Sequence, residues 1–265
     1  MKLLDIFTES KSGNPTLNED GIYFKAPFAA VIDGTTTKDE KLYSKAYGGR
    51  FAMQVIMKAL DNISDELEPY HLIEKINDAL SCELTKQNYE LGPSAGILIY
   101  NDTRKELISY GDNPYSINGK EYRTTKPTDI IAAQVRADTI KKLLAQGATV
   151  EDIQKNDLGR KEISDYLKEA PEKLANAEIE NGYPVINGKK VIKAFITVHK
   201  IEAGSELILA SDGYPRLLKS LADTEAYLQE LLKNDILCIE ALKGTKGVAF
   251  GNRSFDDRSY LRLIT

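Results

Sequence analysis

Four short acidic pieces stand out in the 265-residue sequence: Asn18-Glu19-Asp20, Asp33-Gly34, Asp212-Gly213 and Asp256-Asp257. Two of them end apolar runs, AAVIDG from Ala29 and ELILASDG from Glu206. An apolar run that stops at Asp-Gly reads as a buried strand delivering one carboxylate to its end, with glycine leaving the next carbonyl uncovered. Carboxylates, carbonyls and water are the ligands that hard ions such as Mg²⁺ and Mn²⁺ prefer. Strand-end mounting also suits a site where two metals must hold a nucleophile in line with phosphorus. Each piece alone is a common turn sequence. Four of them, each at the edge of a predicted strand, point to one shared metal site, because uncompensated carboxylates brought together repel one another.

Other chemistries are excluded by what the chain lacks. Two cysteines, Cys82 and Cys238, exclude a cysteine zinc site on ligand count, and with only His71 and His199 a histidine-based metal site or a histidine-dependent nucleophile triad is hard to build. Both cysteines sit in helical-looking apolar patterns and are expected to be buried and reduced. His199 reads as a strand residue and His71 as lying at a helix start. The net charge is -5, with basic residues scattered among acidic ones, so no nucleic-acid partner is expected. No apolar run reaches the roughly 18 residues of a membrane span, so no membrane partner is expected and the reading is a cytoplasmic protein. Hydrophobic residues make up 42% and charged residues 28%, ordinary globular usage. The reading is one domain over 1–265, with a helical or flap insertion near 129–190.

The elements that must position the acids follow from periodicity. Gly21 to Asp33 reads as two short strands, followed by a polar loop from Thr35 to about Lys41. Two amphipathic helices follow Gly48-Gly49 and Pro69. Ser94 to Tyr100 and Glu106 to Tyr110 read as strands, and the turns at Asn101-Asp102, Asn113-Pro114 and Asn118-Gly119 predict a meander of three or four antiparallel strands. Asp129 to Ala177 is helical, with faces built from Ile140, Leu143 and Leu144 and from Ile163, Tyr166 and Leu167. Asn181 to Gly188 reads as a loop or hairpin. Val191 to Ile201 and Glu206 to Ala210 return to strand, Leu217 to Leu242 is predicted helical, and Ser259 to Ile264 closes the chain as a strand. Helices do not alternate one per strand, so the class is α+β with antiparallel sheets.

Taken in chain order, Asn18-Glu19-Asp20, VIDG from Val31, GPSAGILIY from Gly92, YGDN from Tyr110, LILASDG from Leu207 and SFDD from Ser254 resemble the metal-dependent protein phosphatases, the type 2C group, over nearly the whole chain. The resemblance implies an α-β-β-α sandwich, two antiparallel sheets flanked by helices, around two Mn²⁺ or Mg²⁺ ions. It implies that Asp33 bridges the metals and that the Gly34 carbonyl and Glu19 serve one of them. Asp212 and Asp256 serve the other, Asp20 holds metal-bound water, and Asp33 and Asp212 count as catalytic. Asp112 is expected to tie down a turn beneath the site. The implied reaction is hydrolysis of phosphoserine or phosphothreonine in a phosphoprotein by a metal-bridging hydroxide, opposing a serine/threonine kinase. A phosphatase of small phosphorylated metabolites and a non-catalytic regulatory homologue are the alternatives.

The departures are specific. Members usually carry a phosphate-gripping arginine four residues before the Glu-Asp pair, where this chain has Pro15; Lys11 and Arg50 are the candidate substitutes. Thr35 stands where many eukaryotic members have histidine. The aspartate that helps hold a third metal falls at Thr124 or Thr125, with Asp129 out of register nearby. The last motif reads Asp256-Asp257 in place of the commoner Asp-Asn, which leads to the expectation that Asp257→Asn is tolerated.

Overall fold

Phe28, Ala29, Ala30, Val31 and Ile32 are all essentially inaccessible to solvent, as expected of a strand covered on both faces. Their side chains alternate between two cores. Phe28, Ala30 and Ile32 join one apolar cluster, and Ala29 and Val31 join another. The computed structural model, which describes residues 1–36, 46, 48–86 and 92–265, repeats this division in every central strand.

The strands are β1 (Lys2–Glu9), β2 (Gly21–Lys25), β3 (Phe28–Gly34), β4 (Ala95–Asn101), β5 (Glu106–Tyr110), β6 (Tyr115–Ile117), β7 (Lys120–Tyr122), β8 (Thr197–Lys200), β9 (Glu206–Ala210) and β10 (Arg258–Ile264). They form two five-stranded sheets, in the orders β2-β3-β4-β5-β8 and β1-β10-β9-β6-β7, with antiparallel pairing throughout. The helices are α1 (Gly48–Leu60), α2 (Pro69–Lys86), α3 (Pro127–Ala145), α4 (Val150–Lys155), α5 (Leu158–Glu162), α6 (Ser164–Leu174) and α7 (Leu221–Asn234).

Three apolar layers result from the alternation. Ile32 and Ile97 meet Ile56 and Ile73 of α1 and α2; Val31 and Leu98 meet Leu209 and Leu261 between the sheets; Ile208 and Tyr260 meet Leu228 and Leu232 of α7. This is the expected α-β-β-α sandwich. Burial of each fully covered Leu or Ile contributes on the order of 2 kcal/mol, so the inter-sheet layer fixes how the two sheets register. Helices α3 to α6 lie between β7 and β8 in the chain. Ala137, Ile140 and Ile153 pack on Leu237 and Ile239, while Ala132, Ile163 and Leu167 form a second small cluster. Tyr166 stays outside both, 39% exposed. Among the described residues no helix is long and apolar enough to cross a membrane.

Several expectations need correction. The predicted meander is divided between the sheets: β4 and β5 pair in one, while β6 and β7 join β9 in the other. The chain changes sheets at Gly111 to Pro114, where Gly111 takes a φ of +150° and passes close to Gly96. Of Val191 to Ile201, only Thr197–Lys200 is strand, preceded by a 3-10 turn over Lys193–Phe195. The helix predicted over Leu217 to Leu242 is shorter at both ends. Ser220 caps α7 by accepting from Asp223, and the Asp235 carboxylate accepts the backbone N–H groups of Ile239, Glu240 and Leu242, folding the residues after α7 into a loop. Asn181 to Gly188 is the loop of the two forms expected, tied down by isolated bridges from Tyr183 to Ala175 and from Ile186 to Ala95. Cys82 is exposed, against expectation, while Cys238 is buried with φ +52° in the loop after α7. His199 lies in β8 and His71 in the first turn of α2. The predicted loop beyond Thr36 lies outside the described residues.

Candidate metal centre

Strands β3 and β9 belong to different sheets, yet their ends meet: the Asp212 N–H donates to Asp33 Oδ2 at 2.9 Å. Gly34 sits at the crossing. A Cβ there would lie 2.3 Å from the Glu19 carbonyl oxygen and 2.5 Å from that of Gly49, so a side chain would drive apart the Glu19 loop, β3 and the start of α1. Gly213 makes the equivalent approach on the other sheet, where a Cβ would meet the Asp257 carbonyl oxygen at 2.0 Å.

Asp33, Gly34, Asp212 and Asp256 line one cavity of about 140 Å³, together with Asp112 and Asp129. Glu19 and Asp20 lie outside its lining, each 4% exposed. Glu19 Oε2 accepts from Thr36 Oγ1 at 2.5 Å and from Lys11 Nζ at 3.4 Å, while Glu19 Oε1 and Asp20 Oδ2 are buried without a hydrogen-bond partner among the described residues.

Burial is the main force raising the aspartates. It pushes Asp33 well above the usual carboxylate range, reinforced by the charges of Asp212, Asp20, Asp256 and Asp112. Asp20 is raised in the same way by burial and by Asp257. Asp212 is reached by solvent through the cavity mouth, but the surrounding walls, Asp256 and Asp112 push it up to about 7, with Lys246 and Lys126 pulling back. Asp256 goes the other way. Burial raises it, but Lys246 at 2.5 Å and Lys11 at 3.6 Å hold it below its usual value.

The donor set is therefore hard oxygen in mutual repulsion, mostly buried, with two carboxylate oxygens that lack a partner among the described residues. In type and charge it fits divalent cations. Among the described residues no three Asp, Glu, His or Cys side chains stand together in a ready ligating geometry. The lysines account for part of this, since Lys246 sits on Asp256 and Lys126 on Asp112.

The same fold occurs in solved phosphatases. The catalytic domain of the serine/threonine protein phosphatase PstP, in complex with two manganese ions, superposes with a TM-score of 0.52 at 16% identity, covering 98% of this chain and 97% of that one. The chain has the fold of the PPM-type bacterial serine/threonine phosphatases. The Mycobacterium tuberculosis phosphatase PstP/Ppp matches equally, with a TM-score of 0.52 at 16% identity over 99% of this chain and 98% of that one. Stp1 from Staphylococcus aureus gives 0.52 at 13% identity over 100% and 95%. No family model matches the sequence, and no curated protein sequence matches it.

Within this PPM-type fold the remaining expected residues take distinct places. Lys11 reaches the acids: its Nζ donates to Thr36 Oγ1 at 3.1 Å and lies within 3.6 Å of Asp256 and Asp257. Burial presses its pKa down, but Asp256, Asp257 and Glu19 outweigh that and hold its ammonium above the usual range. Arg50 is engaged with the backbone of the acidic loop. Its Nη1 donates to the carbonyls of Pro15 and Asn18, at 3.1 and 2.6 Å, and so props the loop that carries Glu19. Asp112, expected beneath the site, lines the cavity itself, held by Lys126 at 2.9 Å. Asp129, out of register in sequence, also reaches the cavity from the first turn of α3.

Among the described residues, sequence reasoning missed three cations on the cavity wall, Lys126, Arg160 and Lys246. The available signals were local: Lys126 immediately precedes Pro127 at a helix start, Arg160 follows Asp157-Leu-Gly, and Lys246 lies between Gly244 and Gly247.

The contacts of Asp257 argue against its expected tolerance. Its Oδ1 accepts the Lys11 N–H at 2.7 Å and its Oδ2 the Glu19 N–H at 2.9 Å, so both oxygens clamp the acidic loop. Asp257→Asn turns an amide NH₂ against one of these donors. The expected result is a loss of about 1 to 3 kcal/mol in urea unfolding; unchanged stability would show that the clamp reorganises around the amide.

Proposed function

We propose that this chain is a metal-dependent phosphomonoesterase acting on phosphoserine or phosphothreonine in a protein substrate, opposing a serine/threonine kinase. The observation that carries the reading is the convergence of Asp33 from one sheet with Asp212 and Asp256 from the ends of two strands of the other on one cavity. Asp33, Asp212, Asp256 and the Gly34 carbonyl would hold two Mn²⁺ or Mg²⁺ ions, with Glu19 and Asp20 behind them and Asp129, on the same cavity wall, the candidate for a third. Bound there, the ions supply an activated water and a positive field for the phosphoryl oxygens.

The chain's own groups prepare that chemistry. The Asp212 N–H orients the Asp33 carboxylate, and the Thr36 hydroxyl and Lys11 ammonium fix Glu19. Asp257 ties the loop that carries Glu19 and Asp20 to the start of β10. A cleft of about 400 Å³ between α6 and the Gly92 to Ser94 segment shares Thr35, Thr36, Lys126 and Tyr183 with the cavity. It gives the residues flanking a phosphorylated side chain a place to lie. The whole is read as one domain, with helices α3 to α6 as an inserted subdomain.

A second reading, a phosphoprotein-binding module without turnover, is favoured by one observation: Lys246 already neutralises Asp256. Phosphate release from a phosphothreonine peptide, with and without Mn²⁺, separates the two. The expected result is release that requires the ion and is lost in Asp212→Asn. Peptide binding without release would favour the second reading.

A further inference from the structure

We infer that Arg160 is the phosphate-gripping residue of this site, supplied by α5 in place of the cation that the loop before Glu19 lacks at Pro15; the inference rests on the phosphatase reading for its substrate. Among the described residues the cavity wall carries three cations, and two are already matched. Lys126 pairs with Asp112 at 2.9 Å and Lys246 with Asp256 at 2.5 Å. Lys11, beside the cavity, is shared among Glu19, Asp256 and Asp257. Among the described residues no carboxylate oxygen lies within 4.0 Å of the Arg160 guanidinium. Its side-chain hydrogen bond runs from Nη1 to the Thr245 carbonyl at 2.6 Å, leaving most of its five N–H donors for something else. Burial lowers its pKa, and the more distant Asp256 and Asp157 offset this only in part. A desolvated cation without a counter-ion on a cavity wall is a site for an anion.

The mounting is rigid. Asp157 Oδ1 accepts the Arg160 N–H at 2.7 Å, and the Asp157 Oδ2 is held by the buried Arg136 at 2.8 Å. Gly159 lets α5 lie flush on α3, since a Cβ there would meet Ile140 at 2.8 Å and the Arg136 carbonyl oxygen at 2.9 Å. The Thr245 carbonyl then braces the guanidinium itself. A pre-set planar fork matches the oxygens of a phosphomonoester dianion, and a phosphate held by it shares the cavity with Asp33, Asp212 and Asp256.

The probe is inorganic phosphate, titrated calorimetrically into the full chain with saturating Mn²⁺, alongside kinetics on a phosphothreonine peptide. Arg160→Ala is expected to weaken phosphate binding about tenfold or more and to raise KM, with Mn²⁺ affinity and melting temperature unchanged. Arg160→Lys restores part of the affinity, because a point charge keeps attraction but loses the fork. Should Arg160→Ala disturb folding, Arg160→Gln retains an amide for the Thr245 carbonyl and serves in its place. Wild-type phosphate affinity in the folded variants overturns the assignment, as does a wild-type protein that binds no phosphate. If phosphate binding depends on Arg160 while the wild type releases none from peptide, the subsite stands and the phosphatase reading falls. If the wild type hydrolyses peptide and Arg160→Ala leaves affinity and KM unchanged, the subsite falls and the phosphatase reading stands.

Discussion

Asp33→Asn is expected to abolish Mn²⁺-dependent phosphate release, a loss of about a thousandfold or more, while the metal-free protein melts at or above the wild-type temperature. The two effects have opposite origins. Asp33 is the carboxylate pressed by Asp212, Asp20, Asp256 and Asp112, so removing its charge relieves repulsion in the metal-free fold. The amide oxygen still accepts the Asp212 N–H, so the meeting of the two strand ends survives. On the proposed function, what is lost is a negative charge that would hold the ions, and with it several kcal/mol of stabilisation of the transition state. A second readout separates this from a local packing defect. Saturating Mn²⁺ is expected to raise the wild-type melting temperature by on the order of 5 °C, by preferential binding to the folded state. In Asp33→Asn that shift disappears. A variant that keeps both the thermal shift and the activity would remove Asp33 from the metal site.

Arg136→Met is expected to be the most destabilising single change in the helical region, at about 3 to 5 kcal/mol. Arg136 is fully buried, yet its guanidinium is saturated: it reaches Asp157 and the carbonyls of Leu237, Cys238 and Gly244. Methionine fills much of the volume but strands Asp157 and three carbonyls. Urea unfolding measures the loss; a change under about 1 kcal/mol would show that water or repacking replaces the network. Because the same guanidinium joins α3 to α5 and to the 237–247 loop, the folded fraction of this variant should also show a raised KM. Its effect on kcat should be smaller, since no strand-end carboxylate touches Arg136.

The two sheets were legible because their central strands are covered on both faces, giving unbroken apolar runs such as Ala29 to Ile32 and Leu207 to Ala210 that stop abruptly at an acid. The same abruptness made Asp33 and Asp212 visible, and Asp256 showed as an acidic pair just before the last strand. Strand β1 was not legible, since Leu3, Leu4 and Ile6 are exposed on an edge and give no alternation. The change of sheet after β5 was hidden because it depends on Gly111 and Gly96 passing close together, a contact that local patterning does not encode. Arg160, Lys126 and Lys246 were hidden for a similar reason. Their local marks, a helix start, a cap and a pair of glycines, do not say which cation turns inward, and for Arg160 and Lys246 that is decided by the packing of α5 and the 237–247 loop against α3. Asp257 was misread because its worth lies in two backbone donors 238 and 246 residues away.

The pairing of β1 with β10 also decides how the molecule responds to tension. The strands run antiparallel, with Lys2 opposite Ile264 and Glu9 opposite Arg258, so residues 2 and 264 stand side by side. Force pulling those two residues apart loads the ladder rung by rung instead of all rungs at once, and β1, an edge strand with one neighbour, peels away at low load. Peeling runs towards a clasp at the far end, where Glu9 is gripped by Arg258 at 2.6 Å and by Arg253 at 2.7 Å. Just beyond that clasp come Lys11 and the loop bearing Glu19 and Asp20. A tether through both ends of the fold would therefore be resisted at Glu9, and its release would unfasten the acidic loop while the helices and the inter-sheet layer were still intact.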